Sequence, residues 1–238
     1  MDKNYEASDS FITAALLTFS GGFQDAYTYC CRDEVFANAQ TGNVVLMSGY
    51  IFHGQWSAAI RYLIPLTAFI AGILTAETIH RRFTGKPSFH WRQFIILIEI
   101  LILFIVGAIP QSFNIPANVL VSFVCAMQVQ TFRKIGSHSY SSTMCIGNLR
   151  NGTDALCSFI HNRRKSELKK ACIYFGIISV FFLGAGAGYT FTEIFGLVSI
   201  RFSCLPLAFA FIVMLFSEAT VFTEQKILRK VKNTINNL

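Results

Sequence analysis

Six stretches of this sequence run for about 20 residues with very little charge, the length needed to cross a bilayer core of about 30 Å. They fall at roughly 11–31, 57–80, 93–110, 116–135, 169–191 and 198–217. In lipid every backbone polar group must be satisfied within its own segment, so each run is expected to be a helix. Composition bears on the choice: 53% of the residues are hydrophobic and only 14% charged, against about 25% charged in soluble domains. That is too little polar surface to cover a core of this size. The expected fold class is all-α, a polytopic membrane protein of about six transmembrane helices whose first partner is the lipid bilayer. A soluble enzyme, a disordered chain and a secreted disulfide scaffold are excluded.

Two further stretches, about 37–54 and 139–160, are shorter and more polar, and each contains a Gly-Asn pair. Gly42-Asn43 recurs 105 residues later (147 − 42) as Gly147-Asn148. The same shift carries 11–31 onto the fourth long run, 57–80 onto the fifth and 93–110 onto the sixth, which argues for a duplicated unit. The expected organisation is a short N-terminus at 1–10, a first membrane repeat at 11–110, a second at 111–217 and a basic tail at 218–238.

Orientation follows from Lys and Arg. Arg81, Arg82, Lys86 and Arg92 crowd one connection, Arg163, Arg164, Lys165, Lys169 and Lys170 another, and Lys226, Arg229, Lys230 and Lys232 the tail. If all three face the cytoplasm, each Gly-Asn stretch enters and leaves on one side, as a broken or re-entrant segment. Residues 37–54 then dip from outside and 139–160 from inside, both termini are cytoplasmic, and only Arg32, Arg61 and Arg201 lie outside. Three spans per half make the halves inverted, a plan recurrent in transporters and channels. The net charge of +7 is read as loop charge of this kind, not as a nucleic-acid surface. Met1 to Ser10 is acidic, without a basic start or a small-residue cleavage site, so the first run is expected to be retained.

Polar groups inside the runs carry any chemistry. Asp25 and Gln24 follow Gly21-Gly22 in the middle of the first span, where a carboxylate costs at least about 2.5–3.5 kcal/mol and faces a cavity, a proton, a cation or a structural partner. Asn38-Ala39-Gln40-Thr41-Gly42-Asn43 precedes an apolar run and reads as an extended stretch turning into a short helix, with Thr41 as a candidate N-cap and Gly42 permitting close backbone approach. Ser141 to Asn148 is its counterpart. Two such helix starts meeting near the midplane present N–H groups to a polar solute; the alternative is helix-packing glycines with Asn satisfying nearby backbone. In the fourth span an offset of 105 sets Asp25 against Gln130, and 104 sets Gln24 against Gln128; interhelical bonding accounts for either glutamine.

Glu99 stands alone in an apolar run and must find a partner or a proton. Arg201 is placed to snorkel outward, Glu77 and Glu218 lie near span ends, and Arg150 and Asp154 are spaced to pair on one helix face. Gly184-Ala185-Gly186-Ala187-Gly188 forms a small-residue face suited to close helix approach. The seven cysteines form no C-x-x-C and the five histidines no ligand motif. No metalloprotease, nucleophile-elbow or phosphate-loop signature is present, so no cofactor, no metal and no enzymatic activity are expected.

At these motifs the sequence resembles the YoaK family, a domain-of-unknown-function family of bacterial membrane proteins. The resemblance rests on a glycine followed by Asp25-Ala26, on Phe36 and Thr41-Gly42-Asn43, and in the second half on Gln128 and Thr143-Met144-Cys145-Ile146-Gly147-Asn148. It covers most of 11–217, with Ile146 where a threonine is usual. It implies a multi-pass protein of a bacterial inner membrane and carries over no catalytic or binding residue.

The functional expectation is a small-solute transporter or channel with its pathway between the halves. Asp25 would be its proton- or cation-responsive group, and Gln24, Thr41, Gly42, Asn43, Gln128, Gln130, Gly147, Asn148 and Glu99 would lie along it. Its partners would be a small polar or ionic solute and no nucleic acid, and the size is compatible with a homo-oligomer. The rival expectation is a membrane assembly or regulatory protein whose buried polar groups only join helices.

Overall fold

The computed structural model describes residues 7–84 and 90–216. The first six residues, Lys86, Glu218 and the basic tail lie outside the described residues. Ser10 starts the bundle: its Oγ accepts from Thr13 N at 3.1 Å, which supplies one of the free acceptors a helix start needs. The helices are α1 (Phe11–Cys31), α2 (Gln40–Phe52), α3 (Trp56–Phe83), α4 (Trp91–Val106) and α5 (Asn114–Thr131). A small hairpin of β1 (Lys134–Ile135) and β2 (His138–Ser139) follows, then α6 (Cys145–Asn162) and α7 (Lys165–Phe195). Gly196–Ser203 is a 3₁₀ stretch leading into a helix over 204–216, here α8. The run expected as one span from 198 therefore begins as 3₁₀ helix and becomes α-helical only at Cys204.

Among the described residues, three helical stretches are long and apolar enough to cross a membrane: Trp56–Phe83, Gln111–Thr131 and Lys165–Phe216. The side chains follow the same logic, inverted from that of a soluble protein. On α4, Leu101 and Ile105 are 56% and 58% exposed while Glu99 is 0% exposed. Ser20, Gln24, Arg32 and Ser122 are equally buried, whereas Phe182, Leu183, Phe209 and Phe216 face outward. Polar groups are inside and large apolar ones outside, the arrangement of a protein solvated by lipid.

Specific contacts fix the directions of α1, α3, α4, α5 and α7. Arg92, at the start of α4, bonds to Ser8 and Asp9, and Gly136 N in the hairpin donates to Asp9 O at 2.8 Å. The starts of α1 and α4 and the end of α5 thus share one end of the bundle, the Ser10 end. At the opposite end Arg32 bonds to Val106 O, Pro110 O and Asn114 Oδ1, so the ends of α1 and α4 meet the start of α5. Helix α7 runs in the direction of α1, because Phe11 faces Gly176, Phe19 abuts Gly184 and Phe23 abuts Gly188. Helix α3 runs with α5, because Gly72 abuts Phe123 and Gln130 bonds to Glu77. The end of α3 returns to the start of α4 through the ring contact of His80 with Trp91 at 4.7 Å.

Both parallel pairs depend on glycine. A Cβ at Gly184 would sit 2.2 Å from Phe19 O, and one at Gly72 would sit 2.3 Å from Phe123 O. Each clash is with backbone, which no rotamer change relieves. At Gly186, in the same small-residue stretch, nothing lies within 4 Å. Gly184→Val is accordingly expected to cost at least the upper part of the about 1–3 kcal/mol of overpacking. Gly186→Val is expected to unfold with the native protein. Thermal unfolding in detergent separates the two, and equal effects would mean that α1 and α7 are not in this contact.

Candidate functional site

The two Gly-Asn stretches are built alike. In the first, a turn over 32–34 with positive φ at Asp33 and Glu34 leads into an irregular stretch, 35–39, that runs from the Arg32 end into the bundle, and α2 leads back out to that end, where Tyr50 stacks on Tyr62 at 5.7 Å. In the second, residues 140–144 run in from the hairpin, and α6 leads back to the Ser10 end. Each irregular piece lacks a strand partner, and an asparagine one turn into the following helix takes that place. Asn43 Oδ1 accepts from Phe36 N at 3.0 Å and its Nδ2 donates to Phe36 O at 2.7 Å. Asn148 Oδ1 accepts from Ser141 N at 3.4 Å and its Nδ2 donates to Ser141 O at 2.7 Å.

Thr41 does not cap α2. It is exposed, the cap position is Ala39 and no side chain of the segment bonds there. Side chains of α1 hold the backbone just ahead of the helix: Asp25 Oδ1 takes Asn38 N at 2.7 Å, and Thr28 Oγ1 takes Ala37 N at 3.1 Å. Both N–H groups precede the cap position, so these side chains anchor the lead-in to α1 and leave the first N–H groups of α2 without a side-chain cap.

Both lead-ins reach α1 at Gly21, the eleventh residue of a 21-residue helix. Asn38 Nδ2 donates to Gly21 O at 3.5 Å, and a Cβ at Gly21 would sit 2.6 Å from Thr143 Cγ2. Gln128 completes the junction, donating from Nε2 to Ser142 Oγ at 3.0 Å and to Leu17 O at 3.3 Å. On the other flank Gln24 Nε2 donates to Glu99 Oε1 at 3.0 Å and to Ser20 Oγ at 2.9 Å. Gln24 Oε1 accepts from Cys125 Sγ at 2.6 Å, and Ser20 Oγ donates to Ser203 O at 3.1 Å. The centre is rich in acceptors: Asn38 Oδ1, Glu99 Oε2 and Gln128 Oε1 are buried without a hydrogen-bond partner among the described residues.

Gln24, Asp25, Glu99 and Gln128 therefore belong to this central region, with Asn38, Cys125, Ser142 and Thr143 beside them. Gln130 does not: its Nε2 donates to Glu77 Oε2 at 2.9 Å, between α5 and α3. Asn43 and Asn148 are engaged by their own lead-ins, Gly42 packs under the Phe36 ring and Gly147 faces open space. Arg150 and Asp154, expected to pair, are both exposed and form no ion pair among the described residues; two solvated side chains gain too little to fix one geometry. Arg201 reaches neither Glu99 nor Asp25 but donates from Nε to Phe104 O at 3.2 Å, with its guanidinium over the Phe104 ring.

Arg32, read from the sequence as an outer loop charge, is 0% exposed. Every guanidinium nitrogen is bonded: Nε to Tyr27 Oη at 3.0 Å, Nη1 to Asn114 Oδ1 at 3.0 Å, Nη2 to Ile109 O at 2.8 Å and Val106 O at 3.1 Å. It neutralises the carbonyls at the end of α4, where the helix dipole is negative. Its partners are mostly main-chain carbonyls, which no residue letter marks. Beyond it a cavity of about 470 Å³ opens at the end of α1, lined by Tyr29, Asp33, Glu34 and Gln111 among others. This cavity lies outside the polar centre. Among the described residues no three His, Cys, Asp or Glu side chains come together as metal ligands.

A lipid-facing helical bundle with a polar interior defines an all-helical membrane protein. The model of a family of proteins of unknown function, DUF1275, matches residues 13–214, and the chain belongs to that family, the one that includes the YoaK proteins. No curated protein and no solved structure matches it.

Proposed function

We propose that this protein carries a small polar or ionic solute across the membrane, along a pathway between two inverted halves, with Asp25 and the Gly21 junction at its centre. The observation that carries the proposal is the convergence on Gly21 of two interrupted segments that come in from opposite ends of the bundle. Such segments are tolerated at membrane depth only where protein or a polar cavity receives them. The inverted halves are supported by the asparagine clamps, Asn43 on Phe36 and Asn148 on Ser141, which stand at the 105-residue offset. They are supported too by the exchanged pairings of α1 with α7 and α5 with α3. In this reading Gln128 stands to the second lead-in as Asp25 stands to the first. The unpartnered acceptors favour a proton, a cation or a hydrogen-bond-donating solute, and the acidic Asp33 and Glu34 at the cavity would concentrate cations at that mouth.

The rival reading, a membrane assembly or regulatory protein, is favoured by one feature: Asp25 already bonds to the backbone of the first lead-in. Water access separates the two readings without knowledge of the solute. In a cysteine-free background, Asn38→Cys and Thr143→Cys are expected to react with a membrane-impermeant thiol reagent in sealed vesicles, and Ile96→Cys in the apolar core is not. In proteoliposomes loaded with pyranine, Asp25→Asn is expected to keep the fold and change the response to a pH jump. Unreactive thiols at both junction positions, with Asp25→Asn altering stability alone, would favour the assembly protein.

A further inference from the structure

We propose that Glu99 is an exchangeable proton site, loaded and unloaded at its Oε2 atom and held in place by Gln24. The inference rests on the pathway reading above and names its coupling ion. Glu99 is wholly buried on α4 among isoleucines and leucines. Its Oε1 takes one N–H from Gln24 at 3.0 Å, while Oε2 has no partner among the described residues. The groups that face it from the packed helices are Gln24 and Ser20 of α1, Cys125 of α5 and Cys204 of α8. None is a cation. The arginines on α4 or bonded to it are committed elsewhere: Arg92 to Ser8 and Asp9, Arg32 to the end of α4 and Arg201 to Phe104.

A buried carboxylate with one donor and no counter-charge is costly, and the least costly relief is a proton on the free oxygen. The step is a simple balance: an O–H bond forms at Oε2, the charge goes from −1 to 0, and the proton comes from water admitted along the pathway. Gln24 is a positioning residue with a second arm. Its Oε1 accepts the Cys125 thiol at 2.6 Å, so a change of charge at Glu99 polarises the amide and is felt at the sulfur. Asp25, the next residue on α1, bonds to the first lead-in, so loading of Glu99 lies one residue from the group that holds α2 in place.

The test is an infrared pH titration of the full chain in phosphatidylethanolamine–phosphatidylglycerol vesicles, in H₂O and D₂O. One protonated-carboxyl stretch is expected to titrate, to be lost completely in Glu99→Gln and to persist in Asp25→Asn. The Cys125 S–H stretch, assigned by its loss in Cys125→Ala, is expected to move with the same midpoint and to stop moving in Gln24→Leu. If Glu99→Gln does not fold, Glu99→Asp, which draws the carboxyl back from Gln24, is expected to shift both midpoints together. A carboxyl band untouched by either Glu99 variant overturns the proposal, as does a midpoint that follows sodium concentration. A titrating Glu99 in a protein whose centre is closed to thiol reagents would leave the proton site standing and remove the transport reading.

Discussion

Arg32→Met should lower the thermal midpoint of the protein in detergent far below that of the parent. Arg32 is among the largest fully buried side chains of the described residues, and its guanidinium bonds at once to the end of α1, the end of α4 and the start of α5 through Tyr27, Val106, Ile109 and Asn114. A methionine of similar length fills the space but leaves those acceptors without donors. Removing one side of a buried charged arrangement costs about 3–5 kcal/mol, a large share of the about 5–15 kcal/mol that holds a typical domain together. Lysine is expected to rescue little, because one ammonium cannot serve carbonyls and a phenol that lie on different sides of a planar fork. Arg81→Ala is the control: its side chain is 80% exposed and pairs, among the described residues, with Glu77, so a change within about 0.5 kcal/mol is expected. Thermal unfolding followed by circular dichroism decides between them. If Arg32→Met melts with Arg81→Ala, the turn between α4 and α5 is held by something other than the arginine.

The contrast between these two arginines marks what the sequence makes legible. Positions of helices follow from apolar length, because lipid imposes one requirement on every residue of a span, and five of the six expected runs lie on α1, α3, α4, α5 and α7. The Gly-Asn repeat is legible because both copies solve one local problem, an irregular lead-in with no strand beside it, with one residue type. What fails is any contact whose second partner is backbone or lies far along the chain. Thr41 looks like a cap because caps are usually local, yet it lies inside α2, and the stretch ahead of that helix is held by Asp25, on another helix. Gln128 and Gln130 look alike two residues apart, but on a helix they point to different neighbours, one to Ser142 and the other to Glu77. Arg32 looks like a loop charge because its partners are carbonyls, and Cys125 looks like packing because only the fold brings Gln24 to it.

Single cysteines at Gly54 and Ser166, in a cysteine-free background, should label from opposite sides of the membrane. Both positions are exposed, and the packing assigns them to different ends: Gly54 follows α2 at the Arg32 end, and Ser166 opens α7 at the Ser10 end, near where Phe11 faces Gly176. The ends differ in charge as well. Arg81, Arg82 and Arg92 lie at the Ser10 end with Arg163, Arg164, Lys165, Lys169 and Lys170, which a cytoplasmic position for that end would satisfy. In intact cells an impermeant thiol reagent should then reach position 54 at once and position 166 only after permeabilisation, an all-or-none difference. Had both stretches crossed fully, the chain would pass the membrane eight times and the two basic connections, 81–92 and 161–170, would lie on opposite sides. Labelling of both positions from one side would mean that the parallel pairing of α3 with α5 or of α1 with α7 is wrong. The convergence at Gly21 depends on those two pairings, so the inverted halves and the pathway would fall with them.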